Sequence, residues 1–509
     1  MKNYLLGIDV GTSACKVAVF TREGVVLAQA QREYPVYHPA PGQVEQDPNE
    51  WYAAVGEAIK ECLARGKIDP KAIAGVGVDG QSWSAIPVDK KGHALARTPI
   101  WMDTRAADIA RETLERVGFE RIFSVSGNGF EPTYSTPKML WFKAHQPEIY
   151  RQTHCFLQSN SWIVYRLTGV LSQDKSQGYG VHAFNMKTGE WDDALCDELG
   201  IERAHLPEIS DCEQVVGSVS AQAASETGLA VGTPVVAGGL DAACGTLGAG
   251  VIAAGQAQEQ GGQAGGMSIC MHEARAHPKL ILSFHVLPQR WLLQGGTVGG
   301  GGALRWFRQE LGLAEDVRAQ EKGLSAFEVL SAEAGKVAPG AEGVVFLPYM
   351  SGERSPIWDR HAKGVFYGLS YASTRAHMVR AVLEGCAFAL EHNLRTAAEI
   401  DVEVDELVAM GGAANSLVWT QIKADITGKR IRVPSSDTAT TLGAAILAGV
   451  GTGVYTSYEE AVTGTIRVLR THEPNPANHL KYQATYDLFR EIYENLKGTM
   501  RAQAEQDRS

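Results

Sequence analysis

The chain has 509 residues, too many for one hydrophobic core and enough for two substantial domains. Its 47 basic and 58 acidic residues give a formal charge of -11 with no long run of either sign, which argues against a nucleic-acid footprint and for a small-molecule partner. Eight cysteines are scattered without a Cys-x-x-Cys pair, so a zinc site or a disulfide framework is not expected and reduced thiols in the cytoplasm are.

The N-terminal MKNY leads straight into an apolar run, and uncharged stretches such as Ala439 to Tyr458 are diluted by glycine and threonine. No signal peptide and no membrane span are therefore expected. Leu5 to Phe20 reads as a strand pair interrupted by Asp9, Thr12 and Ser13; TREG at 21 to 24 is a turn, and VVLAQA resumes an extended pattern. In DPNEWYAAVGEAIKECL, Asp47 is a candidate N-cap and Pro48 a first-turn residue, with Trp51, Val55, Ile59 and Cys62 on one helical face. Ile73 to Val78 returns to strand and stops at DGQSW. Strands alternating with helices define an α/β chain.

A second apolar strand, Thr233 to Ala237, runs into glycine-rich GGLDAACGTLGAG, and a domain boundary is placed near residue 250. Glu259 to His272 then carries a small-residue turn between extended runs, a loose echo of the first hairpin. If the echo is real, the chain contains two copies of one αβ unit. TRAHMVRAVLEGCAFALEHNL has a broad apolar helical face, and strand DELVAM leads through GGAANS to a helix that ends at Gly428.

Three constellations carry chemistry. No Walker A loop is present, but Gly11, Thr12 and Ser13 offer N–H groups and hydroxyls to phosphate oxygens, and Asp9 beside them suits Mg²⁺ held through water. A plain turn capped by its aspartate satisfies the same residues. Asp241, ending an apolar strand among glycines and alanines, suits a base that takes a proton from an attacking hydroxyl, or simply a cap for the helix after it. Gly411, Gly412 and Asn415 suit a flat base lying against glycine backbone, or an ordinary strand-to-helix turn. Gly299 to Gly302 is either a phosphate-facing turn or hinge, or a site of close packing.

Taken together these motifs resemble the FGGY family of carbohydrate kinases. The likeness runs nearly end to end: GIDVGTSACK at 7 to 16, GQVEQDP at 42 to 48, WMDTRA at 101 to 106, TPVVAGGLDAACGTLGAG at 233 to 250, GGALRW at 301 to 306, LPYMSGERSPIWD at 347 to 359, GVFYGLSYASTRAHMVRAVLEG at 364 to 385 and GGAANSLVWTQIKADITG at 411 to 428. The resemblance implies two ribonuclease-H-like domains of the actin, hexokinase and heat-shock-chaperone superfamily, residues 1–250 and 251–509, flanking a central cleft. It implies ATP and Mg²⁺ as cofactors, a small sugar as substrate, a cytoplasmic location and a possible homodimer, with neither nucleic acid nor membrane as partner.

By the same resemblance Asp9 is the metal-associated carboxylate, and Gly11, Thr12, Ser13 and Lys16 complete the first phosphate loop. Gly262 and Gln263 belong to the second phosphate loop, Gly411, Gly412, Ala413 and Asn415 to the adenosine motif, and Asp241 is the catalytic base. Gln81, Ser82, Trp83, Trp101 and Asp103, with Asp241, fall where such kinases contact the sugar. Two departures stand out. The second phosphate loop, usually GTSG, reads GQAG, so phosphate contacts there fall to backbone N–H groups and Gln263. The sugar segment, GQMHG in kinases acting on xylulose, reads GQSWSA, so Trp83 supplies stacking area and one N–H where imidazole is usual. A ketopentose such as D-xylulose is the expected substrate. The alternatives are another ketose or polyol (ribulose, fuculose, a glycerol-like compound), a non-kinase ATPase and an inactive sugar-binding protein.

Overall fold

The structure of the chain is a computed structural model that describes residues 4–435 and 438–506. The opening apolar run forms a hairpin: Tyr4–Val10 pairs antiparallel with Ala14–Thr21, which pairs in turn with Val26–Glu33 across the TREG turn. The expected helix follows as Pro48–Gly66. Asp47 accepts from the Asn49 N–H at its start, and Trp51, Val55, Ile59 and Cys62 are buried along one face. Strand Ile73–Gly80 then lies parallel to Tyr4–Val10, the connection a helical crossover produces.

The chain divides into two compact units. One comprises Met1–Ala253, Cys270–Leu292 and Thr438–Arg467, the other Ala254–Ile269, Leu293–Asp437 and Val468–Ser509. The first crossing lies at residue 253, and the chain afterwards returns to the first unit twice. The second of these returns, which carries helix Ala439–Gly451, leaves no mark in composition, because a helix that fills a distant sheet face reads like any other buried helix.

In the first unit the sheet runs Val215–Ser218, Pro234–Val236, Ile73–Gly80, Tyr4–Val10, Ala14–Thr21, Val26–Glu33, with Gly239–Leu240 paired parallel to the end of Ile73–Gly80. In the second, hairpin Gln256–Gly261 and Gly265–Met271 places its first strand parallel to Glu406–Met410, which is parallel to Arg430–Pro434. The succession of directions is the same in both: hairpin, parallel strand, second parallel strand, antiparallel edge at Val215–Ser218 or Val468–His472. The echo between the two hairpins thus extends to the strands beside them.

Each unit has its own core. That of the first gathers Leu6, Ile8, Val10, Val76 and Val78 against Trp51, Val55, Ile59 and Trp162; that of the second packs Phe346, Leu383 and Phe388 on Trp419, Tyr482 and Phe489. All eight cysteines are buried and unpaired, as reduced thiols require. Among the described residues no helix is long and apolar enough to cross a membrane.

Helix Ala439–Gly451 belongs to the first unit and lies against both Tyr4–Val10 and Ile73–Gly80. It comes so close that a Cβ on Gly7 would collide with the Thr441 carbonyl, and one on Gly443 would collide with the Cys244 carbonyl of helix Asp241–Gly248. Glycine is needed at these crossings for space, not for backbone freedom. Gly443→Val is expected to cost at least the ~1–3 kcal/mol of an overpacked core, read as a lower thermal midpoint; an unchanged midpoint would show that the helices part without cost.

Candidate functional site

The ends of neighbouring parallel strands are where an open α/β sheet presents its loops to ligands. In the first unit three aspartates sit there. Asp9 lies on Tyr4–Val10 in register with Asp79 on Ile73–Gly80, Asp79 is in register with Gly239, and Asp241 follows Gly239–Leu240 as the first residue of its helix. Asp9 accepts from the Thr440 hydroxyl at 3.2 Å, brought by the close-packed helix Ala439–Gly451, and has Lys16 beside it on the hairpin. Burial raises its pKa, while Lys16 and Thr440 pull the other way. Asp241 accepts from the Ala242 N–H at 2.6 Å, so its carboxylate touches the first turn of its own helix, while Leu240 holds the N-cap position. Burial, with the Asp9 charge in addition, pushes its pKa up to about 7, against the Ala242 N–H.

Asp79 was not singled out by the sequence motifs. It is fully buried, among the described residues no N–H or hydroxyl donor reaches either of its oxygens, and it faces both Asp241 and Asp9, with whose carboxylate its own protonated carboxyl shares a hydrogen bond. Burial first and the two neighbouring carboxylates second raise its pKa well above the ordinary value. The signal that would have found it is the one that marked Asp9, an acid within an apolar strand.

Residues singled out from three separate segments meet beside these acids. The Thr12 hydroxyl accepts from the Trp101 indole N–H at 2.9 Å and donates to the Gln81 side-chain carbonyl at 3.2 Å, and the Gln81 amide donates to Gln46 at 2.7 Å. Gln46 closes the loop by donating to the Thr12 carbonyl at 2.7 Å. The first phosphate turn and the expected sugar segments thus form one hydrogen-bonded network. Ser13 is exposed and Gly11 is half-buried, its carbonyl accepting from the Tyr34 hydroxyl. Asp103 is buried, and its oxygens accept from the Val44 N–H at 2.6 Å and from Arg105, which also pairs with Glu45. Its carboxylate braces the loop that presents Trp101.

Trp83 adopts a left-handed backbone, φ 66°, which is strained for a bulky residue. Its N–H donates to Gln158 at 3.1 Å and its indole stacks on Tyr134, ring centroids 4.2 Å apart, with Tyr179 edge-on at 6.0 Å. The Tyr179 hydroxyl faces Ser82, Trp83 and Asp241, which places this aromatic wall beside the acid cluster. Gln158, Tyr134 and Tyr179 carry no sequence signal of their own, since each looks like ordinary core or cap.

In the second unit the turns at Gly262–Gly265 and Gly411–Asn415 follow the adjacent parallel strands Gln256–Gly261 and Glu406–Met410. Gly411 has φ 81°, and a Cβ there would lie 2.9 Å from the Gly261 carbonyl. Gly412 is exposed with open space over its Cα, the surface a flat ring system can lie against. Asn415 closes a short 3-10 turn with Ala413, and the helix Leu417–Thr427 is capped by Ser416, not by Asn415. The Gly299–Gly302 run serves close packing: Gly301 and Gly302 N–H groups donate to the Gly262 and Gln263 carbonyls at 2.7 and 2.9 Å, and a Cβ on Gly300 would lie 2.5 Å from Ala264. Backbone contacts, not hydroxyls, therefore hold the GQAG turn in shape. Beneath the two turns Lys423 forms a buried ion pair with Glu259, a link that charged letters inside an apolar strand and helix foreshadow only in retrospect.

Comparison with known proteins gives this architecture its family. The model of the FGGY carbohydrate kinase N-terminal domain matches residues 4–248 and that of the C-terminal domain residues 272–452. The chain is 30% identical over 496 residues to a xylulose kinase of Bacillus subtilis (strain 168), covering 97% of both chains. It is also 30% identical over 513 residues to an autoinducer-2 kinase of Escherichia coli (strain ATCC 8739), covering 98% of this chain and 95% of the other. The crystal structure of ligand-bound xylulose kinase from Lactobacillus acidophilus superposes with a TM-score of 0.89 at 27% identity, covering 97% of this chain and 98% of that one. The chain belongs to the FGGY family of carbohydrate kinases and is a carbohydrate kinase of the two-domain FGGY fold.

Asp79→Asn tests the acid cluster. Because the folded pKa of Asp79 lies above its unfolded value, folding is favoured by the protonated form, and this stability is lost as pH rises above the ordinary carboxyl range. The amide variant lacks that loss. It is expected to match the parent near pH 4 and to be more stable by about 1–3 kcal/mol near pH 8, measured by denaturant unfolding at both pH values; a variant less stable at pH 8 would show that the carboxyl group is satisfied.

Proposed function

We propose that the protein phosphorylates a neutral ketopentose such as D-xylulose with ATP, Asp241 serving as the base. The observation that carries this reading is Asp241 itself: a carboxylate at a strand end, held near neutral pKa, beside the network that joins Thr12, Gln81 and Trp101. A base with a pKa near the working pH is both ionised often enough and basic enough to accept a hydroxyl proton. In the reaction the sugar O–H gives its proton to an Asp241 oxygen, the oxygen bonds in line to the γ-phosphorus, and the bond from that phosphorus to the β-γ bridging oxygen breaks to leave ADP. Trp83 supplies a stacking face for the sugar, with Gln81, Ser82 and Trp101 as polar contacts; the Gly411–Asn415 segment receives adenosine, and Gly262, Gln263, Gly11 and Ser13 the phosphates.

Asp9 is a hard oxygen ligand suited to Mg²⁺, and among the described residues no group of three or more His, Cys, Asp or Glu side chains is placed to hold a metal ion. This donor set fits an ion that keeps water and phosphate ligands. Bound there, Mg²⁺ would offset the charge of the phosphate oxygens. Trp83 in place of the usual imidazole favours a second reading, in which the acceptor is a different ketose or polyol of the same class.

ADP release measured with D-xylulose, D-ribulose, L-fuculose, glycerol and no sugar distinguishes these readings. Sugar-dependent turnover greatest with D-xylulose supports the first, and greatest turnover with another member the second; sugar-independent turnover, or none, overturns both. Asp241→Ala is expected to lower kcat by about 10² to 10⁴ while sugar binding persists, and the parent kcat to rise with pH up to about 7 as Asp241 loses its proton. Near-normal turnover in the variant would remove Asp241 from the role. For Trp83→Ala the sugar KM should rise far more than the ATP KM, and equal changes would place Trp83 elsewhere.

A further inference from the structure

Lys138 is fully buried, in helix Ser135–His145 of the first unit. Among the described residues its ammonium group makes no ion pair at contact distance. It donates instead to three backbone carbonyls, those of Trp83 at 2.8 Å, Ile100 at 2.7 Å and Thr133 at 2.5 Å. A lysine has three N–H donors and no acceptor, so this group is fully and singly used on three separate segments.

Two of those segments carry expected sugar contacts, and the third supplies the ring on which Trp83 stacks. The first carries Trp83, with its strained backbone. The second turns through Ile100 to Asp103, whose N–H donates to the Ile100 carbonyl at 2.9 Å, and presents Trp101. The third leads into Tyr134, the ring on which Trp83 stacks. The start of the same helix adds a fourth tie, the Ser135 hydroxyl donating to the Ser84 carbonyl at 2.9 Å. Taking an ammonium group out of water is costly, and burial lowers the Lys138 pKa to about 7, Asp103 opposing and Arg105 assisting. A methionine of similar length would fill this space without that cost. What it would lack is the geometry, three carbonyls held around one point.

We propose that Lys138 is a positioning residue that clamps the Trp83, Ile100 and Thr133 segments together and thereby sets the Trp83–Tyr134 stack against which the sugar binds. The proposal rests on the sugar-kinase reading for its kinetic consequence but not for its structural one, and the test has an arm for each. Hydrogen exchange of the ligand-free full chain is compared among the parent, Lys138→Met and Lys138→Gln. The clamp predicts faster exchange in residues 81–84, 100–103 and 131–135 of Lys138→Met, with the remainder of the first unit unchanged and Lys138→Gln between the two, since an amide keeps two donors.

In kinetics with the sugar the parent phosphorylates, Lys138→Met should raise the sugar KM by about 10 to 100-fold, with kcat and the ATP KM within about 3-fold of the parent. Unchanged exchange in the three segments, exchange raised throughout the first unit, or sugar and ATP KM rising together would each overturn the clamp. If the methionine variant does not fold, the same outcomes are read from the glutamine variant. A parent that phosphorylates no sugar of the panel sinks the functional reading alone, and the exchange data still decide the clamp.

Discussion

Everything at the proposed catalytic end of the first unit follows from crowding acids at the ends of three adjacent strands. Asp9 and Asp79 are register partners and Asp241 follows the next strand, so neither relocation nor rotamer choice separates their charges by much. At an effective dielectric constant near 20, two unit charges 4 Å apart repel by about 4 kcal/mol. The fold answers this unequally. Asp9 receives a hydroxyl and a nearby lysine, Asp241 receives one backbone N–H, and Asp79 has only the carboxylate of Asp9, to which it can donate when protonated. Three chemically identical groups thus acquire different proton affinities from position alone, which is how one residue type can serve as metal-associated anion and as base in the proposed reaction.

The means of enforcing that crowding is close packing by small residues. Thr440 reaches Asp9 because helix Ala439–Gly451 rests on the strands with glycine at the crossing, and Asp241 is fixed because its own helix meets the same helix through Gly443. The second unit uses the same device for its turns, where Gly300 to Gly302 let a helix start seat directly on the GQAG backbone. Replacing a hydroxyl pair with an amide and a methyl therefore leaves the shape of that turn to contacts the substitution does not touch.

Much of the fold was legible in sequence because its elements carry local signals: the Asp47 cap, the four-residue face from Trp51 to Cys62, and glycines immediately after strands. The candidate site was legible where motifs keep their letters, and Thr12, Gln81 and Trp101 do meet. What escaped are groups whose role is fixed by long-range contact. Lys138 and Thr133 are close in sequence, but the Trp83 carbonyl that Lys138 also holds is 55 positions away, and Glu259 and Lys423 are 164 apart. The return of Thr438–Arg467 to the first unit is of the same kind: no local pattern says which of two similar sheets its helix Ala439–Gly451 will cover.

The buried Glu259–Lys423 pair is a long-range tie of the same sort in the second unit. A buried ion pair contributes little net stability, since desolvating both groups offsets most of their attraction. What it joins is two segments that each carry a turn. Glu259 lies two residues before the Gly261–Gly262 turn, and Lys423 sits in the helix that follows Gly411–Asn415. The strand that leads into one turn and the helix that leaves the other are thus joined through side chains packed beside Gly261, as Lys138 joins three segments of the first unit.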